Sequence, residues 1–506
     1  MATITTKLLI DEEKAYNLTM EAFTAVINIT TEESDLYGAS VKVTSPESSA
    51  IAPITFSNSG TVTYTAHMAG TYSFTITYNG EEFTESIDIS NEGTYSLVLN
   101  PYVKFAFHYS ENNSSPTSVT YPEGYDNSDW DAPFAMDLST GVPNYGDWDP
   151  NGEHAKYLRW FYPKSCMLHF DGSLGYYLDE NDETKKADGT QSDVANTSYN
   201  GNAMMEWGQD GKKIWWKIIP DTDGKGFTFC VANGRVDADY HAWNHYDANG
   251  NLTDHFYTPK YFGSNISSKL RSISGQSNFV SNTRNTEVTY ARANNTKGAV
   301  EWDTEVYADW LLVTMLCVLM AKSMNTQAAF GYGRNSSSNS SAIGQGTMNG
   351  KGMFYGKSNQ TEGVKVFGME NIWGNVWRGI RGLLYVSNVK KVKLTHSTID
   401  GSEVSDYNFD GSGYISAGAV SGTSGGFISH MDINEKYILP ATIGGSETTY
   451  YCDGVWFSSG TMYAHVGGSW SNAGRVGGFS CNLNGAASVT GVSIGAAISC
   501  KPLAST

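Results

Sequence analysis

The segment TYSFTITYNGEEFTESIDI, residues 71–89, constrains the fold more than any other part of the chain. Aromatic and aliphatic residues alternate with Ser and Thr in its first half, which is typical of a strand with one buried face. Asn79 and Gly80 then supply residues that tolerate positive φ in a two-residue turn. This turn places Ile76 opposite Phe83, so the apolar residues of both strands share one face. The sequence predicts an antiparallel hairpin.

Similar alternation occurs upstream, in AFTAVINIT and GASVKVTS. We therefore predict that residues 1–100 form a separate β-sandwich of immunoglobulin-like type. The composition predicts β structure in the rest of the chain as well, because 53 glycines, 31 tyrosines and 13 tryptophans favour strands and turns over helices. The predicted fold class is mainly β with some α, over the two to four domains expected for 506 residues.

The remainder of the chain divides into two predicted regions. Residues 101–160 are rich in turn residues and aromatic residues, which predicts an irregular connector that wraps on a neighbouring chain. Residues 161–506 are globular again, and their core is expected at about 300–506. The segment TEVYADWLLVTMLCVLMAKSMNTQ is the strongest helix candidate, and its apolar run is too short to span a bilayer. The loop that follows, GRNSSSNSSAIGQGTMNGKG, is predicted to be too polar to pack.

Charge and cysteine content exclude several functional classes. The chain carries 33 Lys and Arg against 52 Asp and Glu, a net charge of −19 with no basic block, which disfavours a nucleic-acid partner. The six cysteines form no CxxC pair or dense framework, so free buried thiols are expected. The first residues lack the basic and apolar regions of a secretory signal. A protein made in a cytoplasm, without membrane insertion, is the prediction.

One segment has the spacing of a calcium loop. In DYNFDGSGYISA, Asp406, Asn408 and Asp410 place oxygen ligands at alternate positions before the bend at Gly411. The twelfth position is Ala417 where a complete loop has a bidentate Glu. Two interpretations stay open, a weak Ca²⁺ site and a turn held by its own Asn and Asp side chains. No other cofactor is expected, and no catalytic constellation is recognisable.

A resemblance to known families appears near the C-terminus. The segment VFGMENIWGNVWRGI is followed about ninety residues later by GGSW and then by IGAAISCKPLA. These motifs resemble the C-type-lectin-like fold shared by formylglycine-generating enzymes and the variable proteins of diversity-generating retroelements. Residues 160–506 are also similar to virion fibre and tail proteins of gut bacteriophages, because many dispersed motifs recur in the same order.

The resemblance implies a rigid scaffold with variable residues facing outward. The implied scaffold comprises Trp373, Gly374, Asn375, Trp377, Gly467, Gly468, Trp470 and Phe479, with the glycines making tight turns and Trp470 and Phe479 buried. The implied receptor-binding face comprises Tyr463, His465, Ser471, Asn472, Arg475, Val476, Ser480 and Thr490. Its composition is similar to that of adaptable antibody paratopes. An ordinary Gly-rich loop cluster remains the alternative.

These observations predict a non-enzymatic virion fibre, on the head or the tail, that presents its lectin-like face to a bacterial surface glycan or protein. We expect a homotrimer that is attached to other virion proteins through the N-terminal domain. A purely structural capsid or tail decoration is one alternative. An oxidase of the formylglycine-generating type is another, but the resemblance then implies a close cysteine pair for copper, and Cys481 has no near partner in the sequence. Arg378 also replaces the acidic residue that often follows W-G-N-V-W.

Overall fold

The structure is a computed structural model that describes residues 3–11, 14–21, 23–31, 36–47, 51–78, 81–99, 102–298 and 301–504. The chain divides into two compact units, an N-terminal unit, Met1–Tyr102, and a C-terminal unit, Val103–Thr506. Both are built mainly from strands, and the helices lie in the C-terminal unit. The predicted fold class, mainly β with some α, is confirmed.

The N-terminal unit contains nine described strands. They are β1 (Thr3–Asp11), β2 (Lys14–Glu21), β3 (Ala25–Thr30), β4 (Ser40–Thr44), β5 (Ile54–Thr55), β6 (Thr61–Ala66), β7 (Gly70–Tyr78), β8 (Glu81–Ile89) and β9 (Gly93–Val98). Strands β1 and β2 pair with each other, β6-β3-β9 form a three-stranded sheet, and β5-β4-β7-β8 form a four-stranded sheet. One hydrophobic core contains residues from both larger sheets, which is the arrangement of a β-sandwich.

The predicted hairpin is β7 and β8, and its register is confirmed. Ile76 lies opposite Phe83 and Tyr72 lies opposite Ile87. The turn residues themselves, Asn79 and Gly80, lie outside the described residues. Along β7, buried residues alternate with more exposed ones, as expected for a strand with one face on a core.

The C-terminal unit begins with three small or medium-sized sheets. Their strands are β10 (Lys104–Ser110), β11 (Ala135–Asp137), β12 (Val142–Asn144), β13 (Lys164–His169), β14 (Leu174–Tyr177), β15 (Gly201–Trp207), β16 (Trp215–Pro220), β17 (Gly226–Ala232) and β18 (Phe256–Pro259). Strands β10-β17-β16 form one sheet and β11-β12 another. Strands β14-β13-β15-β18 continue into a six-stranded sheet whose last two strands come from later in the chain.

The later strands build the largest sheet. They are β19 (Ser264–Ile266), β20 (Lys269–Arg271), β21 (Trp302–Thr304), β22 (Lys365–Val366), β23 (Met369–Glu370), β24 (Trp377–Val386), β25 (Val389–Val392), β26 (Ile415–Ala417), β27 (Gly425–Asn434), β28 (Tyr437–Ile443), β29 (Gly454–Phe457), β30 (Thr461–Gly467), β31 (Gly477–Gly485), β32 (Ile494–Gly495) and β33 (Ile498–Cys500). The nine-stranded sheet has the order β26-β25-β24-β30-β31-β29-β27-β28, with β32 on β24, and β33-β21 complete the six-stranded sheet. Strands β19-β20 and β22-β23 form separate pairs.

Three α-helices are described, α1 (Arg284–Arg292), α2 (Tyr307–Ala321) and α3 (Thr326–Phe330). Helix α2 is the predicted helix, and every one of its residues is buried. Its last turn ends at Lys322, which adopts the left-handed conformation. In the described part of the chain, no helix is both long and apolar enough to cross a membrane.

Residues 101–160 differ from the expected connector. From Val103 onward they belong to the C-terminal unit, and β10 pairs with β17 along its whole length. Their aromatic side chains, including Trp130, Trp148 and Trp160, are buried in the main core of that unit. The segment has few regular elements, but its buried aromatic side chains pack inside the C-terminal unit, so the segment is part of that unit and not a linker between units.

Candidate functional site

The predicted scaffold motifs contact each other through backbone hydrogen bonds. Gly374 N donates to Gly467 O at 2.9 Å, and Trp470 N donates to Asn375 O at 3.0 Å. The side chain of Asn375 accepts from Ile343 N and donates to Ile343 O, at 2.8 and 3.1 Å. W-G-N-V-W and G-G-S-W, which are distant in sequence, therefore form one structural element, which we call the Gly-Trp frame (residues 373–377 and 467–470).

Glycine is required at tight positions of this frame. Gly374 and Gly468 both have positive φ, at 68° and 81°. A Cβ atom on Gly468 would lie 2.4 Å from Val476 Cγ1, which is too close for any side chain. Trp373, Trp377 and Phe479 are buried as predicted. Trp470 is only half-buried, so the prediction that it lies in the core is corrected.

Four residues of the predicted receptor-binding face do not face outward. Tyr463, His465, Val476 and Ser480 are each at most 1% exposed. Tyr463 and His465 lie in β30, which is paired on both sides, with β24 and with β31. Burial and the nearby charge of Arg284 lower the pKa of His465 to about 3, so this imidazole is neutral. The prediction that these four side chains form a binding surface is wrong, because the sheet is covered on both faces here.

Three residues of that face remain together at the surface. Ser471 and Arg475 are exposed and Asn472 is half-buried, all in the loop between β30 and β31. Asn472 Oδ1 accepts from both the backbone N and the Oγ of Ser469, at 2.8 and 2.7 Å, which fixes the loop. This loop therefore presents polar side chains from a defined backbone.

Thr490 is exposed but lies elsewhere. Arg475 precedes the start of β31 and Thr490 follows its end, and a nine-residue strand spans roughly 25–30 Å. The four residues between Gly485 and Thr490 are too few for the chain to return over that length. The structure therefore separates Thr490 from the other exposed residues of the predicted face.

Two aromatic residues lie under Arg475 that the sequence interpretation missed. The guanidinium lies 5.3 Å from the ring centre of Phe427 and 5.9 Å from that of Trp456, and both rings are half-buried. Trp456 also contacts Trp377 of the frame edge-on, at 5.4 Å between ring centres. We call Ser471, Asn472, Arg475, Phe427 and Trp456 the loop surface. No sequence signal connects them, since β27, β29 and the loop meet only through sheet order.

The polar loop that follows α3 also contributes, contrary to expectation. Asn335 is fully buried and exchanges hydrogen bonds with Ala473, from Ala473 N to Asn335 O at 2.7 Å and from Asn335 Nδ2 to Ala473 O at 3.0 Å. Asn339 Nδ2 donates to Trp470 O at 3.1 Å. These two amide side chains thus satisfy backbone groups of the loop between β30 and β31, which allows Asn335 to be buried within a polar segment.

The predicted calcium ligands are not brought together as a ligand set. Asn408 and Asp410 accept hydrogen bonds within their own loop, from Gly411 N and Ser412 N. Asp406 instead contacts His396 and Arg292, at 3.1 and 2.9 Å. The second interpretation, a turn held by its own Asn and Asp side chains, describes Asn408 and Asp410.

Asp406 belongs to a different cluster. Asp303, His396 and Asp406 offer ligand atoms within 4.8 Å of one another. Arg292 already contacts both carboxylates, at 2.7 Å to Asp303 and 2.9 Å to Asp406. Burial acts to raise the pKa of Asp406, but hydrogen bonds from His396 and Arg292 hold it well below its usual value. A guanidinium therefore supplies the positive charge in this cluster.

The cysteines and Arg378 occupy structural positions. All six cysteines are free and buried. Cys481 lies in the main core and Cys500 in a separate hydrophobic cluster, and burial raises the pKa of Cys481 to about 12. Arg378 is fully buried and pairs with Glu305 at 2.8 Å. Cys481 and Cys500 therefore do not form a thiolate pair, whereas Cys166 lies in the same buried cluster as Cys500, and burial raises the pKa of both of these thiols well above the usual value.

Comparisons with known proteins add little. No family model and no curated protein matches the chain. Among solved structures, a streptococcal ancillary pilin is similar at 11% identity, over 46% of this chain and 71% of the pilin, with a TM-score of 0.14. A TM-score this low gives the similarity no weight for fold or function.

Proposed function

We propose that this chain is a bacteriophage virion fibre, on the head or the tail, that presents a C-type-lectin-like surface to a bacterial glycan or protein. The N-terminal unit attaches it to other virion proteins, and the chain functions as a homotrimer without catalysis. The observation that carries the proposal is the Gly-Trp frame, because the motifs behind the resemblance hydrogen-bond to each other. Function of this kind depends on a surface held by a rigid scaffold.

The loop surface has the chemistry of a recognition site. Arg and aromatic side chains contribute most of the binding energy at many interfaces, and here Arg475 lies over two rings. Ser471 and Asn472 add hydrogen-bonding groups on a backbone that buried amides hold in place. This preorganisation lowers the entropy that binding would otherwise cost.

The burial of all six thiols and the separation of Cys481 from Cys500 support a non-enzymatic role over the oxidase. A copper site of the formylglycine-generating type needs two close thiolates, whereas Cys481 and Cys500 lie in different clusters. Purified chain supplied with copper should therefore not oxidise a cysteine-containing peptide. Copper-dependent turnover would favour the oxidase alternative instead.

Adsorption to host cells tests the receptor-binding proposal. Arg475→Ala should reduce binding of the purified chain to cells of the bacterial host at least about tenfold, because an Arg anchor commonly contributes more than 1–2 kcal/mol. Thr490→Ala is the matched control, since Thr490 is also exposed but lies beyond the other end of β31. Equal binding by both variants would contradict a role for the loop surface and favour a purely structural decoration.

Attachment and assembly need a separate measurement. A map of intact particles should place the N-terminal unit against the virion and the loop surface outward, with three copies around one axis. Light scattering on the purified chain should give three times the monomer mass. A stable monomer at micromolar concentration would count heavily against the trimer.

A further inference from the structure

The C-terminal unit contains a second candidate binding site, an open cleft of about 330 Å³. Its floor consists of Tyr145, Tyr162 and Phe354. Phe354 meets the rings of Tyr145 and Tyr162 edge-on, at 5.7 and 6.3 Å between ring centres. The hydroxyl of Tyr162 donates to Trp148 O, which fixes that ring from below. The floor is therefore apolar and rigid.

The rim of the cleft carries polar groups that the protein does not use. Asn151, Arg159, Lys164, Glu180 and Asn181 line it, and all five are exposed. Within the described part of the chain, the guanidinium of Arg159 and the side-chain amides of Asn151 and Asn181 make no hydrogen bond or ion pair. Several donors and acceptors thus converge on an aromatic floor without an internal partner.

Glu180 and Tyr145 both line the cleft. Burial raises the pKa of Glu180. Burial and the charge of Glu180 together raise the pKa of Tyr145 to about 12. The rim and the floor are thus close enough to contact one ligand.

We propose that this cleft binds an acidic saccharide, with one or two sugar rings lying on the aromatic floor. The cleft volume lies at the lower end of small-molecule sites, about 300–1,000 Å³. The C–H faces of a pyranose suit Tyr145 and Tyr162, and its hydroxyls suit the free amides and Glu180. Among the charged residues that line the cleft, Arg159 and Lys164 outnumber Glu180, which favours a carboxylate-bearing sugar.

This site is independent of the loop surface. It is built from residues 145–164, 180–181 and 352–354, none of which belongs to the Gly-Trp frame. The site also gives a binding role to part of residues 101–160, the segment that the sequence predicted to be a connector. A fibre with both sites would contact a bacterial surface at two places on each chain, which increases avidity without tighter individual contacts.

Binding of the intact chain to an array of bacterial surface saccharides tests the proposal. Wild type should be retained on saccharides that contain uronic acids, and Arg159→Ala should weaken this at least about tenfold, because it removes a charged hydrogen bond. Lys156→Ala is the matched control, since Lys156 is exposed three residues away and does not line the cleft. Tryptophan fluorescence checks that each variant is folded.

Three outcomes would overturn it. Wild type could fail to bind any acidic saccharide, it could bind only neutral ones, or Arg159→Ala could bind as well as wild type. The variant Arg475→Ala separates this result from the proposed receptor surface. If saccharide binding is lost in Arg475→Ala and kept in Arg159→Ala, the cleft proposal fails while the loop surface stands.

Discussion

The N-terminal and C-terminal units are both β structures, but they bury their strands differently. In β7 of the N-terminal unit, Tyr72, Phe74 and Ile76 are buried and the residues between them are not. In the C-terminal unit every residue of β15 is buried, and so is all of β24 except its last residue. The first pattern belongs to a sheet with one covered face, and the second to a sheet covered on both faces.

The difference explains why one prediction succeeded and another did not. Alternation of apolar and polar residues along a strand indicates which side chains are buried only where one face of the sheet meets solvent, as in the hairpin of residues 71–89. In the C-terminal unit polar and charged residues also lie inside, because partners satisfy them, as Glu305 does for Arg378. Polar composition therefore did not mark the surface there, and Tyr463, His465 and Ser480 were misplaced.

The largest expected effect comes from breaking a buried charge cluster in the C-terminal unit. Glu183 contacts the ammonium groups of Lys260, at 2.8 Å, and of Lys365, and all three side chains are fully buried. Glu183→Ala removes the carboxylate that both buried ammonium groups contact and leaves only the charge of the buried Glu370 near them, so it should cost about 3–5 kcal/mol. Tryptophan fluorescence during urea unfolding measures this, since all 13 tryptophans lie in the C-terminal unit.

The control for that change is nearly adjacent in sequence. Lys185 pairs with Asp182 at 3.0 Å at the surface, so Lys185→Ala should leave the unfolding midpoint unchanged. Similar losses in both variants would mean that burial does not distinguish these ion pairs.

The next largest effect tests the one-sided sheet. Ile76→Ala removes a core side chain of the sandwich and should cost the N-terminal unit about 2–5 kcal/mol. Thr75→Ala changes the neighbouring residue on the outer face, where its hydroxyl bonds only Thr84, and should cost less than about 1 kcal/mol. Circular dichroism of residues 1–102, expressed alone, follows both. A broad melt of the wild-type fragment would show that this unit does not fold by itself.

A smaller effect separates two of the three tryptophans of the Gly-Trp frame, Trp373 and Trp470. Trp470 is half-buried, so Trp470→Ala should cost roughly 2 kcal/mol, about half the 3–5 kcal/mol of a fully buried aromatic residue. Trp373 is buried and its Nε1 donates to Gly331 O at 3.0 Å, so Trp373→Ala should show the full cost. Urea unfolding of the intact chain compares the two variants. Equal losses in the free energy of unfolding would show that Trp470 is as buried as Trp373.

The smallest effect at neutral pH concerns a buried acid behind the loop surface. Asp453 accepts from Phe479 N at 2.7 Å and from Gln327 Nε2 at 3.3 Å. Burial raises the pKa of Asp453 well above its usual value, although both hydrogen bonds oppose this. Its contribution to stability is therefore present below the unfolded-state pKa and is lost as pH rises toward the folded-state pKa.

Asp453→Asn removes the ionisable group, although its amide nitrogen cannot accept the hydrogen bond that one carboxyl oxygen accepts in wild type. We expect the melting temperature of the variant, relative to that of wild type, to rise as the pH is raised from 4 to 9. Thermal melts across this range measure it. A difference that grows as the pH falls would show that the carboxylate is charged in the folded protein.

Sequence alone determined the elements whose signals are local. The hairpin register followed from alternation and a two-residue turn, and helix α2 followed from its strong helix formers between polar ends. The resemblance also implied tight turns at Gly467 and Gly468, and both have a positive φ that other residues adopt only at a cost.

Only the tertiary structure decided which side chains reach the surface. Sheet order brings Phe427 and Trp456 under Arg475, and packing against both faces of β30 buries Tyr463 and His465. The cleft likewise joins residues from three distant segments. Exposure depends on what covers an element, and the covering residues here lie tens to hundreds of positions away, where neither local propensity nor periodicity carries information.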